Sequence, residues 1–357
     1  PGVFGANGGK VNTGLRLNRT ANPNITWEVA DTWNVGIESK FLDYFNFEGD
    51  FFVTKRSNIL TARNAAIPEY AGLSLPDENI GKCKSIGTEF TLGYNRQLNK
   101  DWGLHLSGNF SYSHGTIDYI DEPAETLDWQ RRTGKTIGTQ GNNYLMYESI
   151  GIFRTQDDLD SYPHLSDARV GDVKFRDVNG DKKIDGEDKV RMDKPAVPEI
   201  MYGINLGTTY KNWSLNMLWQ GAARVWQYTF MEAGIIGNFT KDFYDNRWTE
   251  DNPNAKYPRT YNRDATVTGG GNYRNSFWLN NASYLRLKSI ELAYNCPKSW
   301  FKGTPISGVR LCLTGYNLLT FTGIKNIDPE TQENSQGWAA WNTPQSKVYN
   351  FGINVTF

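Results

Sequence analysis

Tyr349-Asn350-Phe351-Gly352-Ile353-Asn354-Val355-Thr356-Phe357 closes the chain and decides how the rest is read. Large apolar side chains stand at 349, 351, 353, 355 and 357, with small or polar residues between them. In an extended strand that period puts all five apolar groups on one face. A soluble sheet can bury one such face against a core. Here the pattern recurs along the chain, each time with polar residues opposite. Repetition of that kind points to a transmembrane antiparallel β-barrel, lipid outside and water inside.

Working back from the terminus, the same alternation appears eight more times. Trp33, Val35, Ile37 and Phe41 oppose Thr32, Asn34, Gly36, Glu38 and Lys40. Phe45, Phe47, Phe51 and Val53 oppose Asn46, Glu48, Asp50 and Thr54. Comparable runs lie at 85–95, 102–112, 202–210, 213–220, 285–294 and 309–314. In the seventh of these eight, Leu285 and Leu287 share one parity and Ile290, Leu292 and Tyr294 the other. A one-residue bulge near Lys288-Ser289 restores a single apolar face. Aromatics recur at strand ends (Trp33, Phe41, Phe45, Tyr94, Trp102, Tyr112, Tyr210, Trp213), where interfacial girdles sit. Glu38, Glu48, Asp50, Glu89 and Arg310 fall on the polar face, which a dry core would not accept and a wet lumen does.

The connections alternate in length. Those at 42–44, 97–101 and 211–212 are short and 297–307 is somewhat longer, whereas 56–83, 114–198, 225–281 and 319–347 are long. Compact soluble domains rarely carry loops of that size, while outer-membrane barrels place short turns on one side and long loops on the other. The sequence therefore divides into a lead-in over 1–30 and the barrel portion over 31–357, with 114–198 as a long extracellular connection. An odd strand count, and no export signal at Pro1, predict a C-terminal piece of a longer chain.

Composition agrees with this and excludes other classes. The chain has 357 residues, 14% aromatic side chains, 35 glycines and a net charge of -1. Near-neutrality gives no reason to expect nucleic acid as a partner. Mean hydropathy is -0.59, compatible with a barrel because half of each strand and all the loops are polar. Cys83, Cys296 and Cys312 are few and odd in number, so they read as free thiols. Three histidines without a Cys/His cluster leave no zinc motif, and Gly269-Gly270-Gly271 lacks the Lys-Ser/Thr of a phosphate loop. No catalytic residues are assigned.

Two features of the loops carry candidate sites. Residues 177–188 place Asp177, Asn179, Asp181, Asp185 and Asp188 at positions 1, 3, 5, 9 and 12 of a calcium-type loop, with the Lys183 carbonyl at position 7. Position 6 is Lys182 where the turn favours Gly, and position 12 is the shorter Asp. The reading is a structural Ca²⁺; the alternative is an acidic turn held by its own Asx hydrogen bonds. The second feature is aromatic. Sugar C–H faces stack on Trp and Tyr, so Trp338, Trp341, Trp129, Tyr144 and Trp248 are candidate substrate contacts. Trp226, Tyr228, Phe239, Phe243 and Tyr244 lie in the same loops; the alternative is that such rings pack the loops together.

Several segments, in order, resemble the SusC/RagA family of TonB-dependent outer-membrane transporters. They are 22–28, Asn34-Val35-Gly36-Ile37-Glu38, 55–60, 85–89, Gly151-Ile152-Phe153, 171–177, Tyr284-Leu285-Arg286-Leu287-Lys288, 315–320, Asp328-Pro329-Glu330 and the closing strand. The resemblance implies a 22-stranded barrel with an N-terminal plug and a TonB-contact box, neither visible in this chain. It implies TonB and a SusD-like surface lipoprotein as partners, an outer-membrane lipid surround, and import of a glycan, with oligopeptide import as the alternative. A secreted carbohydrate-binding β-sandwich with a calcium staple is the soluble alternative. A β-rich glycan hydrolase is a third.

Overall fold

The computed structural model describes residues 2–3, 11–12, 21–63, 75–137, 145–229, 239–260, 273–325, 327–331 and 344–357. Nine strands form one antiparallel sheet in sequence order. They are β1 (Val29–Phe41), β2 (Phe45–Thr61), β3 (Glu78–Gln97), β4 (Trp102–Tyr119), β5 (Ile200–Tyr210), β6 (Trp213–Ala223), β7 (Tyr284–Asn295), β8 (Gly308–Thr322) and β9 (Val348–Thr356). Each strand pairs with its sequence neighbour, and β1 and β9 are the open edges. The sheet is a partial barrel wall, not a closed cylinder. No helix among the described residues is long and apolar enough to cross a membrane, as an all-strand wall requires.

The register carries the alternation across the whole sheet. One row runs Phe47, Leu92, Gly108, Ile204, Trp219, Leu287 and Leu319, each residue directly opposite the next. Another ends on β9, joining Leu215, Leu292, Leu313 and Phe351. Trp33, Val35, Phe51, Phe90, Ile204, Leu313, Tyr349, Phe351 and Ile353 all remain exposed. These side chains have no protein core to enter, which is the arrangement of a lipid-facing wall.

The bulge expected at Lys288-Ser289 is present. Leu218 pairs with Ser289 while Trp219 pairs with Leu287, leaving Lys288 as the extra residue. The neighbouring strand also shifts, since Leu287 opposes Leu319 but Ser289 opposes Tyr316. Asn317 takes a left-handed φ of 53° within that shift. Both irregularities keep Leu285, Leu287, Ile290 and Leu292 on one side.

Strand lengths differ from the sequence expectation. The long connections occupy 62–77, 120–199, 224–283 and 323–347, so the expected 56–83 was too wide at both ends, 114–198 and 319–347 were too wide at their starts, and 225–281 was slightly too narrow. β1 begins at Val29, within the expected loop and strand lead-in over 1–30. Backbone pairing continues where apolar alternation stops, because Lys55, Arg56, Lys82, Lys84 and Asp118 sit in ladders above the apolar rows. A ladder needs only N–H and C=O groups, so it outlasts the hydrophobic signal. The tight turns end the strands at the other side. Leu42 and Asp43 take φ 54° and 60°, and Lys211 φ 52°.

Buried side chains lie mostly in the loops at the long-connection end. Met146, Tyr228, Phe243, Tyr257, Trp278 and Leu279 form one cluster. Tyr147, Val173, Phe175 and Ile184 form another, and Ala222, Val225, Ala282, Tyr284 and Ile324 a third at the rim. Short ribbons support them, pairing 145–147 with 189–191, 149–152 with 173–175 and 226–228 with 279–281. The three cysteines are free thiols.

Candidate functional site: a polar wall beneath a pinned loop cap

The two faces of the same strands differ in chemistry. On the polar face a hollow of about 610 Å³ is lined by Asn46, Asn95, His105, Ser107, Asn205, Asn216, Glu291 and Thr314. On the other face a groove of about 490 Å³ is lined by Phe45, Leu92, Leu104, Leu106, Ile204 and Leu206. Asn205 and Leu206 border both hollows through the shared backbone, while their side chains alternate, because consecutive strand residues point to opposite sides. The charge in the hollow is largely matched, since Arg310 donates to Glu291 at 2.6 Å. The acidic residues placed on this face do lie opposite one another, Glu38 with Glu48 and Asp50 with Glu89.

Above the wall the loops are pinned by buried charge. Arg286 is 3% exposed and lies on the polar side of β7. Its guanidinium donates to Asp328 at 2.7 Å, to Glu330, and to the Thr320 hydroxyl at 3.0 Å. Lys288 and the Tyr284 hydroxyl also reach Glu330, at 2.8 and 2.6 Å. Gln227 donates to the Pro329 carbonyl, and Gln345 to both Asp328 and Glu330. The Asp328-Pro329-Glu330 segment is therefore a strap tying β7, the 224–283 connection and the segment just before the last strand, with Thr320 of β8 joined through Arg286. Burial pushes the Asp328 carboxyl up, but the Glu330 N–H and Arg286 outweigh it and hold the group below the usual carboxylate range. A second buried pair joins two loops: Arg259 donates to Asp172 at 2.7 Å. There burial wins and the Asp172 carboxyl is raised.

The calcium-type loop is a closed hydrogen-bonded turn. Asp177 accepts from the Gly180 and Lys182 amides, Asn179 from Asp181, Asp181 from Lys183 and Asp185 from Glu187. Asp188 is fully buried and accepts from Val178 and Asp185. Lys182 takes the left-handed φ of 65° that a glycine would adopt at this position. The donor set is hard oxygen and suits a hard divalent cation in kind. Among the described residues, however, no group of three or more His, Cys, Asp or Glu side chains is arranged to hold a metal.

The aromatic candidates part ways. Trp129 donates its indole N–H to the Glu187 carbonyl at 2.7 Å, and Gln130 reaches the same turn, so both brace the acidic loop from outside. Trp248 is half-buried, and a Cβ at Gly171, whose φ is +93°, would meet its ring at 2.4 Å. Trp338, Trp341 and Tyr144 lie outside the described residues. Tyr228 and Phe243 are buried in the cap with Trp278 and Tyr257, whose rings stack at 6.0 Å. Those rings hold loops together. Sequence reasoning missed Trp278 and Tyr257, and it singled out the Arg286 and Asp328-Pro329-Glu330 segments without pairing them. The strap's only signal was an Arg in a strand and an Asp-Pro-Glu some forty residues later.

Comparison with known proteins settles the class. The family model described as "TonB dependent receptor-like, beta-barrel" matches residues 2–327. The chain belongs to that family. This TonB-dependent receptor barrel is 28% identical to TonB-dependent receptor P26 of Formosa agariphila, over 97% of this chain and 36% of the relative. It is 23% identical to TonB-dependent receptor SusC of Bacteroides thetaiotaomicron, over 94% of this chain and 32% of that protein. Among solved structures it resembles the RagAB peptide importer in its open-open state, with TM-score 0.70 and 26% identity, covering 96% of this chain and 36% of that one. The chain thus spans about a third of the length of the relatives it matches. As a TonB-dependent receptor barrel, its place is the outer membrane, and the wall is of SusC/RagA type.

Proposed function

We propose that the full-length protein imports a neutral oligosaccharide across the outer membrane. Energy comes through TonB, and a SusD-like surface lipoprotein captures substrate above the cap. The observation that carries the choice of substrate is the polar wall. Its hollow offers amide and hydroxyl groups from Asn46, Asn95, Ser107, Asn205, Asn216 and Thr314, while Glu291 is matched by Arg310. Such groups donate to and accept from sugar hydroxyls without demanding a charged ligand. Trp338 and Trp341 are proposed as stacking contacts in the loop beyond the strap, with Tyr144, Trp129 and Trp248 as further candidates. No catalytic step is assigned to any residue.

A second reading is import of oligopeptides. The likeness to the RagAB peptide importer favours it. Calorimetric titration of the full-length receptor with its lipoprotein, against neutral oligosaccharides and short peptides, separates the two. Binding of peptides alone overturns the oligosaccharide reading. Replacing Trp338 and Trp341 by Ala is expected to weaken sugar binding if they stack.

The 177–188 loop is proposed to hold a structural Ca²⁺ through Asp177, Asn179, Asp181, Asp185, Asp188 and the Lys183 carbonyl. The ion would add charge neutralisation to a turn already held by its amides. Metal content by mass spectrometry before and after EDTA tests this; protein free of metal, with unchanged protease resistance of the loop, ends it.

A further inference from the structure

Two lysines stand side by side on the lipid-facing side of the wall, and only one of them, Lys55, has a carboxylate residue opposite it, Asp31. Lys55 of β2 and Lys84 of β3 are directly opposed in register. They share the parity of Val53 and Ile86, the pair of the apolar row below them. Lys82 follows on the same face of β3 and is exposed, as is Lys55; Lys84 is half-buried. Asp31 completes the row on β1 and Thr116 on β4. Among the described residues neither Lys55 nor Lys84 is joined to a carboxylate within 4.0 Å, Asp31 included. Like charges facing each other across a ladder destabilise it, so the pair needs a reason.

Height supplies one. The same two strands meet at the short-turn end in Phe45 and Tyr94. Lys55 stands about ten residues up from Phe45, which at ~3.3 Å per residue and ~40° of tilt is ~25 Å. That is the height of the apolar band of an outer-membrane barrel, so the ammonium groups emerge where the outer headgroups begin. At the opposite end the corresponding positions are aromatic: Phe41, Phe45, Tyr94, Trp102, Tyr210 and Trp213. On the long-loop side two further basic groups near this height are already engaged. His114 and Arg224 both contact Glu199, at 2.6 and 2.7 Å. The β2–β3 lysines are left for a ligand.

We propose that Lys55 and Lys84 form a binding site for the phosphate of a phosphorylated glycolipid in the outer leaflet. Its acyl chains lie on the apolar row below, over Val53, Ile86 and Trp33. An amphipathic ligand is required, because the charged pair and the hydrocarbon surface are continuous on one face. Two ammonium groups straddle one phosphate as point charges, and the low-dielectric rim strengthens the attraction. The bound headgroup offsets the repulsion between the lysines and anchors the wall's orientation in the membrane.

The test is titration of bisphosphorylated lipid A into the detergent-purified full-length receptor, read by ligand retention in native mass spectrometry and by thermal unfolding. The double variant K55Q/K84Q is expected to bind roughly 10- to 30-fold more weakly, the effect of about two interfacial lysine contacts. K55R/K84R is expected to stay within about threefold of the parent, since charge is kept. Lipid A stripped of phosphate is expected to bind the parent as weakly as the intact lipid binds K55Q/K84Q. A heat-modifiable gel shift confirms that each variant is folded. Equal binding by parent and K55Q/K84Q overturns the site. So does equal binding of the dephosphorylated lipid, or an equal effect from inorganic phosphate or phosphatidylglycerol. Loss of the lipoprotein partner from K55Q/K84Q without loss of lipid also overturns it, and assigns the lysines to a protein interface.

Discussion

The wall and the cap of this receptor barrel chain obey opposite rules. In the wall, Trp33, Phe51, Ile204, Phe351 and their row neighbours are exposed, and the protein offers them no core. In the cap, Trp278, Tyr228 and Met146 are each 1% exposed and pack as in a soluble domain. The wall is ordered by ladders and by the two liquids that wet its faces. The cap is ordered by side-chain packing and by buried ion pairs such as Arg259–Asp172. The lesson is that loops on a membrane barrel can be a small folded domain in their own right, with the strand wall as its floor. Arg286 is where the two meet, rooted in β7 and holding Asp328 and Glu330 of the strap.

The largest expected effect lies in the cap. Trp278→Ala removes the ring at the centre of the aromatic cluster and should cost about 3–5 kcal/mol of local stability. Hydrogen exchange of the full-length protein should show 120–199 and 224–283 opening while the wall ladders stay protected. Loss of wall protection to the same degree would mean that the two regions fold as one unit.

The next prediction compares adjacent residues of the wall. Ile204→Arg puts a charge in the lipid-facing row and should cost about 2–4 kcal/mol, whereas Asn205→Arg on the polar face should cost less than about 1 kcal/mol. Urea unfolding in lipid vesicles reads both. Equal costs would sink the assignment of hydrocarbon to one face and water to the other.

A smaller effect is expected from the acidic turn. Asp188→Asn replaces an acceptor by a donor facing the Asp185 or Val178 amide, and should cost about 1–3 kcal/mol locally. Limited proteolysis around 177–188 checks it; cleavage unchanged from the parent contradicts the turn's dependence on that carboxylate.

The smallest concerns pH. Lys174 donates to Asp158 at 2.6 Å and holds its carboxyl below the usual range, with burial opposing. A depressed carboxyl contributes stability that is present above its unfolded pKa and lost as pH falls through the folded one. The window therefore opens near the ordinary Asp value of about 4 and extends below it. Because the pair is partly exposed, its worth is well under about 1 kcal/mol. Exchange protection of α1 (Gln156–Asp160) should fall across that window in the parent and show a flatter profile in Asp158→Asn.

Reading the chain alone went far for the wall and stopped short in the cap. The period-two alternation fixes which residues share a face, because a one-residue slip would move every side chain to the wrong medium. The Lys288 bulge was legible for the same reason: Leu287 and Ile290 cannot both face lipid without it. Strand ends were less legible, since ladders at Lys55–Lys84 continue after hydrophobicity has ceased to mark them. The acidic turn was visible as spacing, and the left-handed Lys182 is the turn that spacing demands. Trp129 reads in the sequence as a sugar platform, and its indole N–H also braces the Glu187 carbonyl, a contact that no local pattern announces.

The sequence by itself determined the two-faced sheet and its medium, because alternation is written residue by residue, and short turns at every second connection mark the antiparallel hairpins. Only the tertiary structure decided what the long connections do. Met146, Phe243, Tyr257 and Trp278 meet across more than a hundred residues, and Arg286 finds Asp328 and Glu330 from another loop. Such contacts depend on closing long loops over a preformed floor. That is a matter of geometry between distant segments, which periodicity along the chain does not record.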